Sequence, residues 1–99
     1  MNLSKFKASI HEGKMPEGMT VYLQSLWLDG NGDWTKAHGL IDQMEDDDAA
    51  FLHAYLHRKE GDLGNASYWY SRAGKNKPSI SLEQEWEQMV LYFLDRVKK

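Results

Sequence analysis

The sequence predicts an all-α fold, and three observations support this prediction. Apolar residues recur with the spacing of amphipathic helices along most of the 99-residue chain, and capping residues and glycines separate these stretches. No run of β-branched residues alternates with polar ones, as a strand would require. A hydrophobic content of 41% excludes a disordered chain, and the length allows one core. We therefore expect a single domain of about six helices over residues 1–99.

The first half of the chain is predicted to form three helices. A short amphipathic stretch places the first at about residues 3–12, and breakers at 13–18 end it. The apolar run over residues 19–29 lacks strict alternation and predicts a buried helix. Asp33 is placed to cap the third helix. The apolar stripe of that helix consists of Trp34, Ala37, Leu40, Ile41 and Met44.

The second half is predicted to form three more helices. The acidic run at residues 45–48 precedes the helix at 49–60, so we interpret it as a cap at the positive end of that helix rather than as a cation site. Gly61 and Asp62 form the turn into a helix from about Leu63 to Ala73. Ser81 and Gln84 are placed as a capping box for the last helix, at about 80–97. Its apolar stripe consists of Leu82, Trp86, Met89, Val90, Phe93, Leu94 and Val97.

A repeat relates the two central hairpins. Residues 32–37 align with residues 61–66, each with glycine and aspartate in the turn and an alanine four positions after the aspartate. This pattern resembles the tetratricopeptide repeat, and Ala66, Tyr70, Ala73 and Pro78 match the helix that follows the turn in that family. The first unit departs from the pattern, since Met44 stands where the second alanine belongs. Residues 53–62 also resemble a stretch of short, uncharacterised bacterial proteins, which implies no activity.

The resemblance implies a right-handed array of helical hairpins, at about residues 19–45 and 49–74, with residues 80–97 as a capping helix. If Ala54 is the close-contact residue of its helix, as the family implies, one side of that helix lines the concave surface of the array. The residues on that side are Phe51, Tyr55, Arg58 and Lys59. Their aromatic and cationic character predicts a protein or acidic peptide partner. The alternative hypothesis, which the sequence supports equally, is that Arg58 and Lys59 only neutralise the negative end of their helix dipole.

A metal site is the alternative function. His53, His57 and Glu60 share one helix face at i, i+4 and i+7, and two imidazoles with a carboxylate can bind zinc or a similar ion. The same histidines also fit packing positions against a partner helix. The His-Glu-x-x-His pattern of zinc hydrolases is absent, and no phosphate-binding or nucleophile motif occurs. We therefore predict a non-enzymatic protein without a cofactor.

Charge and composition narrow the partner and the compartment. The net charge of −3 disfavours a nucleic-acid partner, and no apolar run approaches the length of a membrane span. The absence of cysteine and of a signal-like amino terminus favours the cytoplasm. A subunit with a purely structural role in a larger assembly is a third possibility.

Overall fold

Helices make up most of residues 1–97, the part of the chain that the computed structural model describes, and no strand occurs there. The all-α prediction is confirmed. None of the helices of this part is both long and apolar enough to cross a membrane. The six helices are α1 (Leu3–Glu12), α2 (Val21–Gly30), α3 (Trp34–Ile41), α4 (Asp47–Lys59), α5 (Leu63–Arg72) and α6 (Leu82–Val97).

The two turns that the repeat predicts have the same construction. Asp33 caps α3 and Asp62 caps α5, each by accepting a hydrogen bond from the backbone N–H three residues on. Gly32 and Gly61 precede them with φ of 88° and 89°, a left-handed conformation that favours glycine. Asp46 caps α4 in the same way, so the acidic run contributes a cap as predicted.

The third helix is shorter than predicted. It ends at Ile41, so the prediction that Met44 belongs to its stripe is wrong. The physical reason is the next cap: α4 starts just after Asp46, and the chain must turn between the two helices within a few residues. Met44 instead packs, partly buried, against the main core from the connection. Leu40 remains on the helix but is 37% exposed.

The last helix packs across several elements rather than on one hairpin. It contacts α1, α2 and α4, and the Trp86 indole N–H donates to the backbone carbonyl of Leu26 at 3.0 Å. Of the preceding hairpin, α6 packs against α4 and reaches α5 through the hydrogen bond from the Tyr70 hydroxyl to Glu85. Val97 is 52% exposed, so its place in the predicted stripe is wrong. The residues of α6 that do enter the main core are Trp86, Met89, Val90, Phe93 and Leu94.

Small residues allow the two helices of the second hairpin, α4 and α5, to pack closely against each other. Ala54 of α4 and Ala66 of α5 are fully buried and form a separate apolar cluster with Tyr70. Methyl side chains at these positions allow the two helix backbones to approach closely, as the repeat pattern predicts. This close packing fixes the face of α4 on which the histidines lie.

Candidate metal centre

Two neighbouring helices bring three imidazoles together. His53 and His57 lie one turn apart on α4, and α3 contributes His38. The Nε2 atoms of His38 and His53 are 2.9 Å apart, and one potential ligand nitrogen from each of the three rings lies within 4.8 Å of the others. We call these residues, His38, His53 and His57, the histidine cluster.

Two tryptophans hold the rings of the cluster in place. The Trp34 ring stacks on His38 with centroids 4.9 Å apart, and the Trp69 ring stacks on His53 at 4.2 Å. The indole N–H of Trp34 also donates to the Leu56 carbonyl at 2.8 Å, which anchors α3 to α4. The cluster therefore has rigid aromatic walls on two sides.

The electrostatics of the cluster favour neutral imidazole at its centre. His53 is 2% exposed, and burial lowers its pKa to about 4, helped by repulsion from His38 and His57. A neutral ring keeps a lone pair for a metal ion at physiological pH. The Nδ1 atom of His53 has no hydrogen-bond partner among residues 1–97. Such a buried, unsatisfied atom costs about 1–3 kcal/mol, whichever group the Nε2 atom of the same ring contacts.

Carboxylates lie on two sides of the cluster. Oδ1 of Asp42 is 3.5 Å from the Nε2 atom of His53 and 3.7 Å from that of His38. Oε1 of Glu60 is 2.7 Å from Nδ1 of His57. Asp62 also comes close to His57 and Glu60, but its carboxylate caps α5.

The sequence hypothesis of a site at His53, His57 and Glu60 is met in part by this geometry. The two histidines do lie together, whereas Glu60 contacts the outer nitrogen of His57. His38 was missed, because it belongs to a different helix and no local spacing connects it to α4. One feature of the sequence could have indicated His38. In a hairpin array the second helix of one unit packs against the first helix of the next, and His38 directly follows Ala37, a buried residue of that second helix.

The four residues predicted to bind a peptide, Phe51, Tyr55, Arg58 and Lys59, have different surroundings in the structure. Tyr55 is 2% exposed and donates its hydroxyl to Asp29 at 2.6 Å, and Lys59 donates to the other oxygen of that carboxylate at 2.9 Å. The Asp29 side chain is itself buried. Burial, together with the Asp29 charge and hydrogen bond, raises the pKa of Tyr55 far above its usual value. The Tyr55 hydroxyl and the Lys59 ammonium therefore both have a hydrogen-bond partner within the protein.

The other two predicted residues lie elsewhere. Arg58 forms an ion pair with the buried Glu85 at 2.8 Å and also donates to the Ile80 carbonyl. Phe51 is partly buried and packs edge-to-face against Tyr92. The four residues therefore do not form one continuous surface.

An open cleft with a volume of about 460 Å³ includes two of the four residues. Tyr55 and Lys59 contribute to its wall beside the ring of Trp86. The remaining lining residues are Lys7, Ile10, Asp29, Gly30, Leu82 and Glu83. The charged residues of its lining are two lysines, Lys7 and Lys59, and two acids, Asp29 and Glu83.

Comparison of the chain with family models, with curated proteins and with solved structures gave no match. Function is therefore inferred from the side chains themselves. The histidine cluster offers several nitrogen ligands at one point, whereas the cations of the cleft are already paired, Lys59 with the buried Asp29 and Lys7 with Glu87.

Proposed function

We propose that the protein is a non-enzymatic helical scaffold that binds a divalent transition-metal ion at the histidine cluster. The observation that carries this proposal is the convergence of three imidazoles from two helices, with their ligand atoms within 4.8 Å of one another. Imidazole nitrogen is a ligand for zinc, copper, nickel and iron, whereas calcium and magnesium prefer oxygen. The ion is therefore expected from the first group.

The competing explanation is that the histidines are ordinary aromatic packing residues. Their stacking on Trp34 and Trp69 is compatible with that view. However, aromatic packing does not require polar atoms, whereas the three imidazoles bring their ligand atoms within 4.8 Å of one another. Three adjacent imidazoles also repel one another whenever they are protonated. Neutral rings avoid this repulsion and keep the lone pairs that a metal ion binds.

Metal titration of the full-length chain tests the proposal. The protein is purified without a polyhistidine tag, stripped with chelator and titrated with Zn²⁺ by calorimetry. We expect one equivalent to bind to the wild type and to a His11→Gln variant, because His11 lies exposed on α1, outside the cluster. A His38→Gln variant should lose this binding while keeping its helical circular dichroism.

Tryptophan fluorescence gives a second readout. Trp34 and Trp69 stack directly on two of the proposed ligands, so Cu²⁺ bound there should quench their emission. Trp69→Phe keeps an aromatic ring beside His53 and the Trp34 anchor, so it should reduce the quenching while calorimetry still detects Zn²⁺ binding. Wild-type protein that binds neither ion, or a His11→Gln variant that weakens binding as much as His38→Gln, would refute the proposal.

We further propose that α2–α3 and α4–α5 are tetratricopeptide-like units of a right-handed array, capped by α6. The matching capped turns and the contact of Ala54 with Ala66 support this arrangement. An experimental structure with left-handed stacking of the two hairpins would contradict it.

We place the protein in the cytoplasm, without a nucleic-acid partner, on the basis of its composition and its net charge.

Binding of an acidic peptide is a second candidate function, and the cleft beside Lys59 favours it. The Lys59 ammonium lies in a cleft whose wall includes Trp86, so a peptide carboxylate could bind near an apolar surface. Lys59→Gln should reduce capture of partners from a native lysate, whereas Lys59→Arg and the exposed Lys36→Gln should not. Equal capture by all three variants, with matching melting curves, would remove Lys59 from the proposed surface.

A further inference from the structure

Asp42 lies where a fourth metal ligand is needed. It directly follows α3, and its half-exposed side chain faces two rings of the histidine cluster from the solvent side. The four atoms of a tetrahedral zinc site are about 2.0–2.1 Å from the ion, which places them about 3.3 Å from one another. The separations among Nε2 of His38, Nε2 of His53 and Oδ1 of Asp42 can be compared with this value.

Three of the six separations among the four ligand atoms, those that join His38, His53 and Asp42, are close to the tetrahedral value. Nε2 of His38 is 2.9 Å from Nε2 of His53, and Oδ1 of Asp42 is 3.5 Å and 3.7 Å from these two nitrogens. All three distances lie within about 0.4 Å of the spacing that tetrahedral coordination requires. Small side-chain rotations would equalise them, and Asp42 has the freedom to move because its side chain is 45% exposed.

We propose that Asp42 is the fourth ligand and that the site is a closed tetrahedral zinc site of three histidines and one aspartate. This inference depends on the metal binding proposed above and adds the coordination number and the class of ion. A flexible carboxylate at the solvent edge, behind which the rings are fixed by stacking, also provides a route for the ion to enter.

Glu60 has a supporting part in this arrangement. Its carboxylate is hydrogen-bonded to Nδ1 of His57, which leaves Nε2 of that ring for the ion. Zinc-bound histidines generally have a carboxylate or carbonyl on the second nitrogen, and this contact fixes the ring and strengthens its donor atom. Glu60 is therefore a positioning residue rather than a ligand.

The ligand set joins the two hairpins. His38 and Asp42 belong to the α2–α3 hairpin and its exit, whereas His53 and His57 belong to α4. An ion held by all four would fasten α3 to α4 at the point where the two units meet. Four protein ligands leave no position for a substrate or an activated water, so such an ion is structural rather than catalytic.

Cobalt substitution tests the coordination number. Tetrahedral Co²⁺ absorbs visible light much more strongly than five- or six-coordinate Co²⁺, so the wild type should turn intensely blue on binding one equivalent. In Asp42→Asn the band should weaken, and Zn²⁺ affinity should fall about tenfold or more. Glu45→Gln removes the same charge three residues away, at an exposed position, and should change neither property.

Glu60→Gln separates positioning from ligation. It should weaken Zn²⁺ binding by about 10- to 100-fold and keep the tetrahedral spectrum, because the ligands themselves remain. If the wild type binds Co²⁺ and Asp42→Asn retains the same spectrum and affinity, Asp42 is not a ligand, although metal binding by the histidines stands. If the wild type binds neither Co²⁺ nor Zn²⁺, both proposals fail.

Discussion

Arg58 is the residue whose replacement should most clearly reveal the internal charge network. Its guanidinium lies 2.8 Å from a carboxylate oxygen of Glu85, and the two side chains are only 15% and 3% exposed. The other oxygen of Glu85 accepts a hydrogen bond from the Tyr70 hydroxyl at 2.6 Å. Arg58→Ala would leave a buried carboxylate with one neutral partner and no counter-charge.

The expected cost follows from this burial. Removing one member of a buried ion pair typically costs about 3–5 kcal/mol, because the remaining charge stays desolvated. A domain of this length has a total stability of roughly 5–15 kcal/mol, so the variant loses a large fraction of it. With a urea m-value of about 2 kcal/mol per molar, the unfolding midpoint should fall by about 2 M.

Urea unfolding followed by tryptophan fluorescence measures this change. Arg96→Ala is the matched control, since Arg96 pairs with Asp48 but is 55% exposed. Such an exposed pair is worth less than about 1 kcal/mol, so the control should unfold near the wild-type midpoint. A double variant, Arg58→Met with Glu85→Gln, should recover part of the loss, because it removes the unpaired charge and keeps an acceptor for Tyr70.

Two results would contradict this reasoning. If Arg58→Ala and Arg96→Ala have the same midpoint, the buried pair does not stabilise the fold as its geometry indicates. If the double variant is less stable than Arg58→Ala, the cost comes from lost packing of the arginine stem rather than from the isolated charge. The pairing also changes how partner binding can be tested, because reversing the charge of Arg58 would damage the fold as well as any binding surface.

Three further changes have defined outcomes. Gly30→Ala should lower the melting temperature, because the added methyl group would lie 2.8 Å from the ring of Trp86, whereas Gly39→Ala meets nothing within 4 Å and should raise it through helix propensity. Equal shifts of the same sign would contradict this. Burial and the hydrogen bond to Asp46 raise the pKa of Tyr22 to about 12, so its neutral form contributes stability that is complete below pH 10 and is lost as the pH rises towards 12. Tyr22→Phe should make stability fall less steeply than in the wild type between pH 10 and 12, where Tyr55 and Tyr70 still lose their contributions. Denaturation curves with the same slope for both proteins in this range would contradict the idea.

Local sequence signals were sufficient for most of the secondary structure. Asp33 and Asp62 cap the helices that they were predicted to cap, and Ser81 and Gln84 form the predicted capping box. The acidic run was predicted to cap α4, and within it Asp46 is the residue that does so. Caps depend on residues within one turn of each other, so the sequence contains the information directly. The early end of α3 was missed because the position of the next cap, rather than helix propensity, limits its length.

Local signals of this kind could not predict contacts between residues that are far apart in the sequence. Nothing near Arg58 or Lys59 in the sequence indicates that Glu85 and Asp29 neutralise them, because these partners belong to α6 and α2. The same limit applies to the candidate site. His53 could be named from its spacing along α4, but His38 reaches it only through the packing of α3 on α4.

The polar residues of α4 therefore fall into two groups with different requirements. Arg58 and Lys59 are each matched by a buried carboxylate, so their charges do not require a partner molecule. His53 and His57 belong to the histidine cluster, where Nε2 of His53 forms a 2.9 Å hydrogen bond with Nε2 of His38 and Nδ1 of His57 contacts the Glu60 carboxylate. A hydrogen bond between two neutral imidazoles uses one N–H and one lone pair, and moving that proton to the other nitrogen of its ring leaves both Nε2 atoms free to bind a metal ion. This contrast is the reason for expecting a metal ion at the α3–α4 contact rather than an acidic peptide along Arg58 and Lys59.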